Sequence, residues 1–229
     1  MGTVPADALS ASLSGVRGRI ARAAARVGRD PASVRLIGVS KGQPPGVVGL
    51  AVAAGLRELG ENRVQEALPK IAATSGVVWH LIGQLQRNKA TAVAGRFALV
   101  HSLDRAELAE SLGRAADRAG AVQEVLIQVG LTGRLGQGGV VPAEAAALLR
   151  RTLQIASLRP VGLMTIAPPV QDPEEARPVF AALRALRDLL QERAGLPLPE
   201  LSMGMSGDFE VAVEEGATMV RVGRAIFVP

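Results

Sequence analysis

Eight short apolar, β-branched runs recur along the chain, over residues 34–41, 56–61, 77–83, 97–103, 123–131, 158–166, 199–206 and 218–227. Stretches with helical periodicity separate them. The clearest spans 173–194, with Asp172 as N-cap, Pro173 at the first helical position and Glu174 and Glu175 in the first turn. Its apolar stripe runs Phe180, Leu183, Leu186, Leu190, and Gly195 ends it. A second helix is predicted over about 106–119, after Asp104. Strand–helix alternation predicts a parallel sheet covered by helices. Eight such units in 229 residues predict a single α/β domain over 1–229, a closed (β/α)8 TIM barrel with an extra N-terminal helix at about 1–28. An open doubly wound sheet would show G-x-G-x-x-G after the first strand, where this chain reads "SKGQPP".

Composition narrows the chemistry. The chain has no Cys, which excludes disulfides, thiolate metal ligands and a Cys nucleophile and fits a reducing compartment. His80 and His101 lie far apart with no partner at ligand spacing, so no metal site is expected. No signal peptide or membrane-length apolar run is read, giving an expectation of a cytoplasmic protein. Net charge is +5, and five Arg residues fall in "VRGRIARAAARVGR". That segment also carries Leu13, Val16, Ile20, Ala24 and Val27 on one stripe, the pattern of a helix packed on a core with its charges solvated. No specific nucleic-acid or membrane contact is expected from it; aromatic residues that could stack bases make up only 2% of the chain.

Barrels of this kind carry their chemistry where the strands end. Only three of the 26 basic residues are Lys, at 41, 70 and 89, and Lys41 closes the first run. Taken alone it reads as a strand-end lysine that snorkels to solvent. The second run leads into "GENRVQE", placing Glu61, Asn62 and Gln65 near the mouth, and the third carries "WHLIG". "GMSGD" after the seventh run supplies the Ser206 hydroxyl, Gly207 for close approach and N–H groups at a helix start, while "RVGR" adds Gly223 and Arg224. Ser206 also reads as a cap of the next helix, Asp208 is expected to point away, and Arg221 has Glu61 as a candidate partner. The Gly-rich "GLTGRLGQGG" lacks a P-loop Lys-Ser/Thr ending and is read as a mobile loop. A phosphate cradle opposite a strand-end lysine fits a compact phosphorylated aldehyde such as pyridoxal 5'-phosphate. A cationic Arg221 at its ring nitrogen would discourage protonation there and weaken the ring as an electron sink.

The motifs "VSKG", "GENRVQE", "WHLIGQLQRNK", "GLMTI" and "LSMGMSGDFEVAVEEGATMVRVGRAIF" resemble the pyridoxal phosphate homeostasis protein family in kind and order, from about Gly28 to Phe227. The resemblance implies a barrel similar to the N-terminal domain of alanine racemase, with pyridoxal phosphate held covalently, as a Schiff base, on Lys41. It implies Asn62 beside the ring, Met164 lining the pocket, Arg221 facing the pyridine nitrogen, and Ser206, Gly223 and the backbone of Arg224 on the phosphate. It further implies a monomer serving vitamin B6 and amino-acid homeostasis, a carrier or regulator without established turnover, with pyridoxal-phosphate-dependent apo-enzymes as recipients.

The chain departs from the family pattern in places. Arg63 stands where an aromatic is common, Gln137 where a lysine is usual, and Arg224 where Thr or Ser is common; the chain ends "IFVP" without the usual glycine. The competing reading is a weak racemase. A two-base racemase of the alanine type takes one base from a tyrosine of a second domain; this chain has no Tyr, and no residues are left over for such a domain. Slow one-base chemistry through Lys41 stays open.

Overall fold

The computed structural model describes residues 5–133 and 137–228. Eight strands follow one another around a closed, all-parallel barrel: β1 (Arg35–Val39), β2 (Glu58–Glu61), β3 (Val78–Leu81), β4 (Leu99–Leu103), β5 (Gln123–Gln128), β6 (Leu158–Met164), β7 (Glu200–Ser202) and β8 (Met219–Val222). β8 pairs with β1, so the first and last strands close the ring. The helices outside are α1 (Ala6–Arg26), α2 (Pro45–Ala53), α3 (Val64–Ala73), α4 (Ala90–Val93), α5 (Ala106–Arg118), α6 (Pro142–Leu153), α7 (Arg177–Ala194), α8 (Phe209–Glu214) and α9 (Arg224–Phe227). This is the (β/α)8 architecture with an N-terminal helix that the alternation predicts.

Every strand is shorter than its apolar run; β2 and β4 keep the run's last residue, and β5 and β6 its first. The surplus apolar residues at the carboxyl ends, Ile82 and Ile166, leave the ladder to line a pocket. The eighth run breaks after Val222, and Arg224–Phe227 turn into α9. The helix expected over 173–194 begins as a 3-10 turn, Pro173–Ala176, with Asp172 accepting the amide of Glu174 at 3.0 Å; α7 then continues to Gly195, whose φ of 63° ends it.

Two apolar layers hold the structure. A large one lies between strands and helices, where Leu59, Leu81, Val100, Leu163 and Val220 meet Leu112, Phe180 and Phe209. A small one, Ile37, Leu99, Leu126, Met164 and Met219, fills part of the barrel interior. With few aromatics, the fit depends on small residues: a Cβ on Gly162 would lie 1.9 Å from the carbonyl oxygen of Glu200 on the next strand.

α1 packs on α8 and α9, behind the loops that follow β7 and β8. Its buried face is Leu9, Leu13, Val16, Ile20, Ala23 and Ala24. Val27, expected on that stripe, is the C-cap residue and is exposed, because the helix has already turned away from the core. The arginines of the helix pair with α8: Arg19 with Glu210 at 2.8 Å and Arg26 with Glu214 at 2.6 Å.

Because α1 supports the far side of these two loops through a fully packed stripe, Leu13→Ala should destabilise the protein by about 2–5 kcal/mol. Urea unfolding checks this, and a loss below the lower bound would mean that α1 is dispensable to the barrel.

Candidate functional site

A cleft of about 550 Å³ opens at the carboxyl ends of the strands, lined by residues from β1, β2, β3, β6, β7 and β8 or the loops after them. Lys41 lies two residues beyond the end of β1, in a turn, and is exposed rather than buried. Among the described residues its Nζ has no hydrogen-bond or ion-pair partner. The turn beneath it is fixed by its neighbour: the carbonyl oxygen of Ser40 accepts from Lys70 Nζ at 2.7 Å, and Ser40 Oγ donates to Glu61 Oε1 at 2.6 Å.

Lys70 and Glu61 form a buried ion pair at 2.6 Å. Glu61 shares the strand face of Leu59, which packs toward the helices, so it meets α3. Arg221 shares the face of Met219, inside the barrel. The candidate pairing of Arg221 with Glu61 is therefore corrected, since the two side chains lie on opposite sides of the sheet. Asn62, the next residue, turns into the cleft. Its position is tight: a Cβ on Gly83 would meet the Asn62 carbonyl oxygen at 2.2 Å. Gln65 is exposed and outside the cleft lining, and Arg63 is exposed and pairs with Glu66 at 3.2 Å.

Another part of the lining comes from the β7 and β8 loops. Ser206, Gly207, Gly223 and Arg224 all belong to it. Ser206 does not cap α8 as expected: Asp208 occupies that N-cap, and Ser206 Oγ instead accepts the amide of Ala225 at 3.4 Å, tying the two loops together. Asp208 lines the cleft but turns a carboxylate oxygen back to the amide of Met205, 2.5 Å away. Burial raises its pKa above the ordinary carboxylate value, against the pull of that amide and of Arg221. Among the described residues the amides of Ser206, Gly207 and Arg224 donate to no protein acceptor. Space is open where a side chain on Gly207 would sit.

Arg221 is 4% exposed at the base of the cleft, donating to Ser202 Oγ at 2.6 Å and to the Thr165 carbonyl oxygen at 2.8 Å. Burial lowers its pKa to about 10, partly offset by Asp208. It is still a cation at neutral pH. Met164 is a correction to the lining: it is 1% exposed and packs with Ile37, Leu99, Leu126 and Met219 inside the barrel, on the opposite strand face from Thr165. The apolar lining on that side is Ile166, Pro168, Pro169 and Val170. Ile166, Pro168 and Pro169 belong to the "GLMTIAPP" that ends the sixth run, where the proline pair marks a rigid loop at a strand end, and the sequence singles out none of the four as a contact. Val39, Gln43, Ile82 and Phe227 also line the cleft without standing out as contacts in the sequence.

Three features of the cleft suit a small phosphorylated aldehyde. Unpaired amides and a hydroxyl offer an oxyanion its donors, a lysine without a partner among the described residues lines the same cleft, and a fixed cation sits at the base. The two histidines, expected to be unrelated, meet inside the barrel with Nδ1 of His80 3.0 Å from Nε2 of His101. Parallel pairing of β3 with β4 makes them neighbours, a contact hidden by their separation in sequence. No group of three or more metal-ligating His, Cys, Asp or Glu residues occurs among the described residues. The Gly-rich loop is anchored where it is described, by a bridge between Val129 and Val140 and by Gln128 Nε2 donating to the Gln137 carbonyl oxygen at 2.8 Å. The expectation of mobility falls partly on residues 134–136, which lie outside the described residues, as does Pro229 of the chain end.

Residues 12–229 match the family model for the alanine racemase N-terminal domain. A pyridoxal phosphate homeostasis protein of Aquifex aeolicus is 46% identical over 217 residues, 94% of this chain and 95% of that protein. Its counterpart in Pseudomonas aeruginosa is 41% identical, over 96% of this chain and 94% of the other. PipY of Synechococcus elongatus, solved with PLP bound, superposes with a TM-score of 0.84 at 39% identity, covering 96% of this chain and 99% of that one. An alanine racemase of Clostridium difficile shares the fold, with a TM-score of 0.74 at 15% identity; the match takes in 96% of this chain and 56% of the racemase.

The buried ion pair beneath the Lys41 turn gives a stability prediction. Lys70→Met leaves Glu61 charged and unpaired and should cost about 3–5 kcal/mol, while adding Glu61→Gln should recover part of that loss. Denaturant unfolding of the two variants checks it; a Lys70→Met protein as stable as the wild type would contradict the pairing.

Proposed function

The chain belongs to the pyridoxal phosphate homeostasis protein family, and from that premise we propose that it binds pyridoxal 5'-phosphate in the cleft, covalently through Lys41, as a carrier or regulator of intracellular vitamin B6 and amino-acid metabolism. The observation that carries this reading is that one cleft brings together the Lys41 side chain, without a partner among the described residues, and the unpaired amides of Ser206, Gly207 and Arg224. When bound, the cofactor supplies an aldehyde, which an uncharged lysine amine takes up with loss of one water, and an electron-accepting ring.

In this assignment Ser206, Gly207, Gly223 and Arg224 hold the phosphate, with the Arg224 guanidinium, exposed at the rim, standing where a hydroxyl is common in the family. Asn62 lies beside the ring. Arg221 faces the ring nitrogen; being a buried cation, it disfavours a proton there. That choice weakens the ring as an electron sink and suits holding more than turnover. An open, wet mouth has the same effect, since it protects no reactive species from water. Met164 contributes from behind the lining, through Ile166 and the interior packing, rather than at the cleft surface.

A racemase reading fares less well. The chain holds no tyrosine, so no phenol of its own can serve as the second base. The assignment extends to a monomer of one domain in the cytoplasm, passing its cofactor to pyridoxal-phosphate-dependent apo-enzymes, without nucleic-acid or membrane partners. Among the described residues no helix is long and apolar enough to cross a membrane.

Titration with pyridoxal phosphate, followed by borohydride reduction and peptide mapping, tests the proposal. The wild type should gain a visible absorption band that reduction removes, leaving the label on Lys41. Lys41→Ala should lose the trapped adduct but keep weak phosphate-dependent binding. Ser206→Ala should weaken retention about tenfold or more, as loss of a hydrogen bond to a charged group does. A label that persists in Lys41→Ala would overturn the assignment.

A further inference from the structure

The barrel interior is unusually polar for a packed core, and its polar groups form one chain. Starting at the cleft, Arg221 donates to Ser202 Oγ at 2.6 Å. Ser202 Oγ lies 2.9 Å from His101 Nδ1, and His101 Nε2 lies 3.0 Å from His80 Nδ1. His80 Nε2 then lies 2.9 Å from Glu58 Oε2, an ion-pair distance without the alignment of a hydrogen bond. His80, His101, Ser202 and Arg221 are all buried, whereas the Glu58 side chain is 18% exposed. Glu58 also lines a second cleft, of about 440 Å³, on a different face of the molecule from the Lys41 cleft.

The direction of the hydrogen bonds follows from chemistry. A guanidinium only donates and a carboxylate only accepts. With two neutral imidazoles between them, two arrangements are conceivable. In one, Ser202 donates its proton to His101 Nδ1, His101 donates from Nε2 to His80 Nδ1, and His80 presents Nε2–H to Glu58. In the other, every imidazole proton is moved to Nδ1. Ser202 then receives two donors and has nothing to give its own proton to, and a bare nitrogen lone pair of His80 faces a carboxylate oxygen at 2.9 Å. The second arrangement is penalised at both ends.

We propose that His101 and His80 are positioning residues for Arg221: with Ser202 they form a one-way relay running from Arg221 to Glu58, in which Glu58 fixes both imidazoles as Nε2–H tautomers and so holds Ser202 as the acceptor that seats the guanidinium at the base of the cleft. The inference rests on the cofactor reading only for its consequence, not for the relay itself. The carboxylates around the two rings are each paired with an arginine. Glu58 on β2 is shared with Arg35 on β1 at 3.8 Å, and Arg35 is in turn paired with Glu200 on β7 at 2.7 Å. Glu124 on β5 is paired with Arg159 on β6 at 2.6 Å, and Arg221 on β8 approaches from the other end. Burial, then His80, Arg221 and Arg35, hold the pKa of His101 well below the ordinary value.

The chain contains only these two histidines, so nitrogen-15 NMR of the imidazoles gives two spin systems and an unambiguous reading. In the full chain at neutral pH, with no pyridoxal phosphate added, both rings should show a protonated Nε2 and a bare Nδ1. Glu58→Gln removes the negative charge that opposes a bare His80 Nε2 and offers that nitrogen an amide N–H instead, so the His101 signal should move toward the Nδ1–H form. Ser202→Ala would disturb packing as well, so Glu58→Gln, at the far end, is the discriminating change. A Nδ1–H or charged His101 in the wild type, or a His101 signal indifferent to Glu58→Gln, overturns the relay. In the same variant, pyridoxal phosphate should bind roughly two- to thirtyfold more weakly, the coupling such networks carry. An unchanged affinity alongside a shifted His101 would confine the relay to the barrel and overturn its positioning role. Wild-type protein that takes up no pyridoxal phosphate would refute the cofactor reading while leaving the tautomer result to stand or fall by itself.

Discussion

Closure of the barrel rests on β8 lying parallel to β1, with Ile37 opposite Arg221 and Gly38 opposite Val222. That pairing brings the two ends of the chain together and sets the turn bearing Lys41 beside the loop of Gly223 and Arg224. A Cβ on Gly223 would meet the Val39 carbonyl oxygen at 3.2 Å, a measure of how closely the two loops approach. No local motif could make such a site. The lysine, the amides and the buried arginine belong to strands that only ring closure makes adjacent, and α1 braces the closing strands from outside.

The barrel spends its interior on polar groups, against the usual preference for branched apolar side chains. Arg221 needs neighbours that accept, and Ser202 and the Thr165 carbonyl oxygen supply them. Ser202 in turn needs an acceptor, and the histidine pair continues the demand down to Glu58. Arg221, Ser202, His101 and His80 each find a partner in the next, and the Glu58 carboxylate stands 2.9 Å from the last ring nitrogen. On the outer face of the sheet, the Lys70–Glu61 pair plays a comparable role for the Lys41 turn. Two buried ionic devices thus hold the two charged walls of one cleft.

Much of this architecture was legible in the sequence because period and strand-end chemistry are local properties. Alternation reported the eight units, and Lys41, Asn62, Ser206, Gly207, Arg221, Gly223 and Arg224 all line the cleft because each sits at or just beyond a strand's carboxyl end. What escaped was relational. Ser206 accepts the amide of Ala225 in α9 rather than capping its own helix, whose N-cap is Asp208. Glu61 and Arg221 part company because residue parity puts them on opposite faces of the sheet. Met164 lies one residue before the turn toward the cleft, and its parity keeps it in the interior layer. The contact between His80 and His101 requires knowing which strands are neighbours and in what register.

The central claim is that a single small molecule spans the cleft from Lys41 to the loops after β7 and β8. A crystal structure of the chain grown with pyridoxal phosphate tests it most directly. The account predicts density continuous from Lys41 Nζ to the ring, a phosphate on the amides of Ser206, Gly207 and Arg224, and the ring nitrogen toward Arg221. A phosphate bound elsewhere on the arginine-rich surface, or density joined to Lys70 or Lys89, would contradict it.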